Sequence, residues 1–144
     1  MPNYPLPPRL NHSTAFLMVR VMKEGYRWAN KLFEGEKLRL MHYAAAAYIA
    51  EYEDISQKAL SQLLLIDPSD IGSIVQDLET AGYITRQPDT QDRRRLTLTI
   101  TADGSDWLVE RETNARKFEN DFLQTLSLKD RKKLHKLLKG VMHN

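Results

Sequence analysis

At 144 residues, 42% apolar and 28% charged, the chain has the size and composition of one globular domain, which argues against a two-lobed enzyme with separate cofactor and substrate domains. It contains no cysteine, so disulfides, thiolate zinc sites and catalytic or redox-sensing thiols are excluded together. A formal charge of +2 names no partner by itself, so any nucleic-acid reading rests on where the charges sit.

Pro2, Pro5, Pro7 and Pro8 predict an extended, non-helical arm over residues 1–12. No basic segment followed by an apolar core opens the sequence, and the longest apolar stretch, Tyr43 to Ala50, falls far short of the ~20 residues of a membrane span. The expectation is a cytoplasmic protein with no membrane passage. From Ser13 to about Phe33, Phe16, Leu17, Val19, Val21 and Trp28 recur at helical steps and predict helix one. Gly35 breaks the pattern, and Leu38, Met41, Ala45, Tyr48 and Ile49 mark a second helix around four consecutive alanines.

After the connector Asp54-Ile55-Ser56, Ser56 is placed to cap a short third helix with Ala59, Leu60, Leu63 and Leu64 on its apolar face. Asp67 as cap and Pro68 at the first helical position define the start of a fourth, whose stripe is Ile71, Ile74, Val75 and Leu78; Gly82 ends it. Two helices joined by Leu65-Ile66 form a helix-turn-helix pattern. The period then changes to two. Tyr83 to Gln87 and Leu96 to Thr101 read as strands, the second with Leu96, Leu98 and Ile100 inward and its threonines outward. Their polar link ends in Arg93, Arg94 and Arg95. Thr101 is placed to cap a fifth helix to about Leu126, and Ser127 with Asp130 to start a sixth carrying Leu134, Leu137, Leu138 and Val141. The expected fold is mainly α with a small β-hairpin wing: a winged helix-turn-helix with six helices.

A capped helix fits the major groove, and arginines on a hairpin suit the narrower, more electronegative minor groove. Leu78-Glu79-x-x-Gly82-Tyr83-Ile84-x-Arg86, then Asp92-Arg93-Arg94, then Leu98-Thr99-Ile100-Thr101-x-x-Gly104 stand in the order and spacing of signatures that resemble the MarR family of winged-helix transcriptional regulators. The resemblance implies a dimer joined by its first and last helices, residues 13–37 and 102–144, around a DNA-binding lobe at 38–101. It implies no enzyme activity and no cofactor. By position, Arg94 matches the wing-tip arginine that enters the minor groove, Asp92 the acid that shapes the wing, and Arg86 the strand arginine nearby. Ser69, Asp70, Ser73 and Gln76 match exposed positions of the recognition helix, and by periodicity they avoid the apolar stripe of the fourth helix. The expected partners are double-stranded DNA carrying a pseudo-palindromic operator and a second copy of the chain, with a repressor role.

Apolar stripes on helices one, five and six are too long for one small lobe, which also predicts a homodimer. A small phenolic or aromatic-acid effector is expected in a crevice lined by Tyr26, Trp28, His42, Tyr43 or Trp107, residues with apolar bodies and polar tips. Each is also an ordinary core residue. His12, His42, His135 and His143 show no metal-ligand spacing, and there is no Gly-rich phosphate loop or nucleophile elbow. From Glu51 to Ala81 seven acids stand against Lys58 alone, so affinity for phosphates must come mostly from elsewhere. The last helix, with Lys129, Arg131, Lys132, Lys133, Lys136 and Lys139, reads first as a solvated face.

Overall fold

The computed structural model describes residues 4–31 and 33–142; Pro2 of the predicted arm and His143 lie outside them. Among the described residues the elements are α1 (Pro8–Asn11), α2 (Thr14–Lys31), α3 (Leu40–Glu51), β1 (Ile55–Ser56), α4 (Gln57–Leu64), α5 (Pro68–Thr80), β2 (Ile84–Pro88), β3 (Leu96–Ile100), α6 (Ala102–Phe122) and α7 (Leu128–Met142). The chain divides into two compact units, Met1–Trp28 with Ala115–Asn144, and Ala29–Asn114.

The winged helix-turn-helix lies within Ala29–Asn114. Ser56 Oγ accepts the Ala59 N–H at 3.1 Å and starts α4. Asp67 accepts the Ser69 N–H at 2.9 Å and, with Pro68 behind it, starts α5. The turn between them rests on Leu65, which is left-handed at φ 53° and 93% exposed, a conformation costing a non-glycine residue about 1–2 kcal/mol. Ile71, Ile74, Val75 and Leu78 of α5 are buried against Ala45, Ala46 and Ile49 of α3, Leu60 of α4, Ile84, Leu98 and Trp107. The alanines let the α3 backbone come close to α5. Among the described residues, no helix is long and apolar enough to cross a membrane.

β3 is the centre of a three-stranded antiparallel sheet in the order β1-β3-β2. The register pairs Ile55 with Leu98 and Ser56 with Thr97 on one side, and Arg86 with Leu98 and Pro88 with Leu96 on the other. Gly82, at φ 79°, lets the chain leave α5 and enter β2. Thr101 then ties the sheet to α6: its Oγ1 donates to the Gly82 carbonyl at 2.7 Å and accepts the Gly104 N–H at 3.0 Å, while its own N–H donates to the Tyr83 carbonyl at 3.0 Å.

Three expectations need correction. The described residues form seven helices instead of six, because the arm contains α1: Pro8 takes the first helical position with its φ already fixed, and the Leu10 and Asn11 N–H groups both reach the Pro7 carbonyl at 2.9 Å. Ile55-Ser56 is a strand as well as a connector. The inward and outward split predicted for β3 holds only in part, since Leu96 is 50% exposed and Thr97 2%. Leu96 sits at the wing base opposite Pro88, whereas Thr97 lies between Ser56 and Gln87, donating its hydroxyl to the Gln87 carbonyl at 3.3 Å.

In the other unit, the Gly25 position on α2 faces the Phe122 ring, which stacks on Phe118 at 5.4 Å. Ser127 caps α7 by accepting the Asp130 N–H at 3.1 Å and donating its hydroxyl to the Asp130 carboxylate at 2.7 Å. Arg131 braces the α6–α7 turn, donating to the Leu126 carbonyl at 3.2 Å and to Asn120 Oδ1 at 3.1 Å. Val19, Val21 and Met22 on α2, and Leu137, Leu138, Val141 and Met142 on α7, are exposed.

Candidate nucleic-acid interface

The α5 stripe buries one side of the helix and leaves Ser69, Asp70, Ser73 and Gln76 exposed. The Ser69 N–H and hydroxyl both bond Asp67 Oδ1, at 2.9 and 2.7 Å, and these bonds hold the Asp67 carboxyl below its usual range. Ser69 therefore serves the helix cap as well as the exposed face. Ser73 Oγ only grazes the Ser69 carbonyl at 3.5 Å, and Asp70 stands in the first turn, where the helix dipole favours an acid.

Gln76 is fixed at both ends of its amide. Its Nε2 donates to Thr80 Oγ1 at 3.3 Å, and its Oε1 accepts from Arg86 Nη2 at 3.1 Å. Arg86 Nε also lies 3.1 Å from Glu79 Oε2, an ion pair whose N–H is not aligned as a hydrogen bond. The strand arginine thus belongs to the α5 surface and not to the tip of the wing.

The wing loop is built by its aspartates. The Asp89 N–H donates to the Arg95 carbonyl at 2.8 Å, and the Asp89 carboxylate accepts the Gln91 N–H at 2.8 Å. Asp92 Oδ1 accepts the Arg94 N–H at 3.1 Å, and the Asp92 carbonyl accepts the Arg95 N–H at 2.9 Å. These bonds use backbone groups and leave Arg93, Arg94 and Arg95 exposed; the Arg94 side chain is 94% exposed, its Nε a loose 3.5 Å from Asp92. An open groove of about 780 Å³ runs from the first turn of α4 to this loop, lined by Ser56, Gln57, Lys58, Gln62, Arg94 and Arg95. Sequence periodicity could not place Lys58 beside Arg94, because the neighbourhood depends on β1 pairing with β3.

Two acids of the stretch from Glu51 to Ala81 are neutralised locally. Glu79 pairs with Arg86, and Asp77 bridges Lys37 Nζ at 3.0 Å and His42 Nε2 at 3.1 Å. Lys37 first and His42 second hold the Asp77 carboxyl below its usual range. His42 Nδ1 accepts the Arg39 N–H at 3.0 Å, so in the neutral ring Nε2 carries the proton and donates to Asp77.

The residues expected to meet an effector fall into different settings. Tyr43 and Trp107 meet edge to face at 6.3 Å, and Trp107, buried, stacks on Tyr83 at 5.1 Å. Burial pushes the Tyr43 phenol up, and Glu112 adds to the shift. His42 has both ring nitrogens engaged. Tyr26 and Trp28 lie on the part of α2 in the other unit, each a little under half exposed. No group of three metal-ligating side chains occurs among the described residues.

A helix-turn-helix with an exposed polar face on its second helix, followed by a hairpin tipped with three arginines, defines a winged-helix protein. The MarR family model matches residues 37–95 of the chain. A candidate transcriptional regulator for the hcr operon of Thauera aromatica is 35% identical over 99 residues, 69% of this chain and 60% of that protein. The chain thus spans under two thirds of that relative's length. A candidate transcriptional regulator from Pseudomonas aeruginosa, known as a crystal structure, is 26% identical with a TM-score of 0.81, over 92% of this chain and 99% of that one. BpsR of Bordetella bronchiseptica, whose DNA binding is regulated by 6-hydroxynicotinic acid, shares the fold at a TM-score of 0.84 and 16% identity, over 96% of this chain and 99% of its own. These relatives are regulators and not enzymes.

Proposed function

We propose that the chain is a homodimeric, cytoplasmic repressor that binds a pseudo-palindromic DNA operator. In this reading α5 enters the major groove with Ser69, Asp70, Ser73 and Gln76, and Arg93, Arg94 and Arg95 meet the minor groove beside it. The observation that carries the reading is the wing: Asp89 and Asp92 bond the loop backbone, and Arg93, Arg94 and Arg95 stand exposed at the end of the hairpin. Two copies join through the exposed apolar residues of α2 and α7, and the assembly sediments at twice the chain mass. A gel shift at low salt with the DNA upstream of the chain's own gene tests the proposal; equal affinity for that DNA and a scrambled duplex sinks it.

Release follows binding of a small phenol or aromatic acid, for which His42, Tyr43 and Trp107, all within Ala29–Asn114, are the candidate contacts. The regulation of BpsR by such an acid supports this choice. An effector that lowers operator affinity tenfold must prefer the released form by about 1.4 kcal/mol. With no thiol present, hydrogen peroxide leaves the complex intact while an aromatic acid dissolves it. The acidic balance of α4 and α5 favours a second reading, a winged-helix module that binds protein without DNA; absence of any duplex binding at low salt would select it.

A further inference from the structure

The charge of this chain is segregated. Met1–Trp28 with Ala115–Asn144 holds 12 of the 21 Lys and Arg residues and four of the 19 Asp and Glu, a formal +8; Ala29–Asn114 holds the other nine bases and 15 acids, a formal −6. The unit with the recognition helix is therefore the acidic one, although binding to a phosphate polymer draws its sequence-independent affinity from Lys and Arg. The surplus positive charge lies elsewhere.

Much of it stands on α7. At 100° per residue Lys129, Lys132, Lys133, Lys136 and Lys139 fall within an arc of about 120°, opposite Leu134, Leu137, Leu138 and Val141. All five lysines are exposed, and none makes an ion pair among the described residues. The one acid of the helix, Asp130, lies outside the arc and is bonded to Ser127. Arg131 lies outside it as well and is spent on the α6–α7 turn. The stripe runs about 15 Å along the helix axis, enough to follow several phosphates of a duplex. A solvated helix face commonly mixes both signs of charge for pairs along the helix; this one has a single sign and no partner.

We propose that the lysine face of α7 is a second, sequence-independent contact for duplex DNA, distinct from α5 and the wing. The choice of polymer rests on the DNA-binding reading above; the location rests on the charge of the two units and the geometry of the stripe. Its occupant is the phosphate backbone, because exposed unpaired ammonium groups offer point charges and no base-reading geometry.

The test compares the wild-type chain with the triple variant Lys132→Gln, Lys133→Gln, Lys136→Gln, which keeps helix propensity, and with the corresponding triple Lys→Arg variant, which keeps charge. Fluorescence anisotropy follows binding to a 25-base-pair scrambled duplex and to the upstream DNA across a potassium chloride series. For the Gln variant the slope of log K against log salt falls by roughly 2–3, since each lost phosphate contact removes about 0.9. Its affinity for both duplexes drops at least tenfold at low salt, with the preference between them unchanged, and the Arg variant restores the wild-type slope. An unchanged slope in the Gln variant overturns the proposal, as does an Arg variant no better than the Gln one. Loss of self-association in the Gln variant with DNA binding intact overturns it in favour of a protein partner. A wild-type chain that binds both duplexes equally defeats the operator reading alone, and one that binds neither defeats both.

Discussion

Arg86 and Gln76 are joined across the turn between β2 and α5, Nη2 to Oε1 at 3.1 Å. Reading an adenine takes both ends of a glutamine amide, and here both ends are already bonded in the absence of DNA. If Gln76 reads a base as proposed, it exchanges these partners on binding, starting from the rotamer that Arg86 fixes. Gln76→Ala is expected to weaken binding to the upstream DNA by about 1–3 kcal/mol and to leave the scrambled duplex unaffected. Arg86→Lys is expected to lose the same preference in part, because an ammonium cannot bridge Gln76 and Glu79 as a planar fork does. Anisotropy titrations on the two duplexes measure both effects.

Arg94→Ala is expected to cost about 1–3 kcal/mol of DNA affinity if the wing reads the minor groove, and Arg131→Ala to change affinity little, since its guanidinium is spent on Leu126 and Asn120. Equal losses would reduce the wing to one charge among many.

Gly104 explains why the Leu-Thr-x-x-Gly signature ends in glycine. A Cβ there would overlap the Tyr83 carbonyl oxygen and come within 2.8 Å of Ile100 Cδ1, and the carbonyl is backbone already bonded to the Thr101 N–H. Gly104→Ala is expected to destabilise the chain by about 1–3 kcal/mol in urea denaturation. Gly140 on α7 has nothing within 4 Å of its Cβ position, and Gly140→Ala is expected to stabilise by up to about 1 kcal/mol.

Asp77 gives the fold an acid-sensitive tie. Because Lys37 and His42 lower its pKa on folding, its contribution is fully present above the unfolded carboxylate value of about 3.9 and is lost as pH falls through the lower folded value. The stability gap between the wild type and Asp77→Asn is expected to be smaller at pH 3 than at pH 7, shrinking as pH falls below about 4. Urea titrations at pH 7 and pH 3 measure it, and a gap that widens on acidification contradicts the assignment.

The residues that made the fold legible are those whose local chemistry decides local structure. Ser56, Asp67 with Pro68, Gly82 and Thr101 begin or end their elements where the sequence predicts, because a cap or a positive φ needs only its nearest neighbours. Exposure of Ser69, Ser73 and Gln76 follows from helical period in the same way. What the sequence hides is pairing between distant segments. A two-residue strand has no period, so Ile55-Ser56 passes for a connector, and with it go the burial of Thr97 and the placing of Lys58 beside the wing. The partners of Arg86, Asp77 and His42 likewise depend on helices and strands meeting in space. The clustering of the α7 lysines on one arc was present in the sequence, but its meaning depended on knowing which unit held the opposite charge.

Thr101 binds the α5–β2 turn through Gly82 and Tyr83 and caps α6 with the same hydroxyl, so α6 is rooted at the base of the wing. α6 is 21 residues long, about 31 Å, and is a stiff rod on that scale. A tilt of about 10° at the root displaces a point about 31 Å along such a rod by roughly 5 Å, and the relation is reversible: a displacement of that size at that distance corresponds to the same tilt of about 10° at the wing base. The threonine hydroxyl that closes the α5–β2 turn thereby also sets the direction in which α6 leaves the lobe.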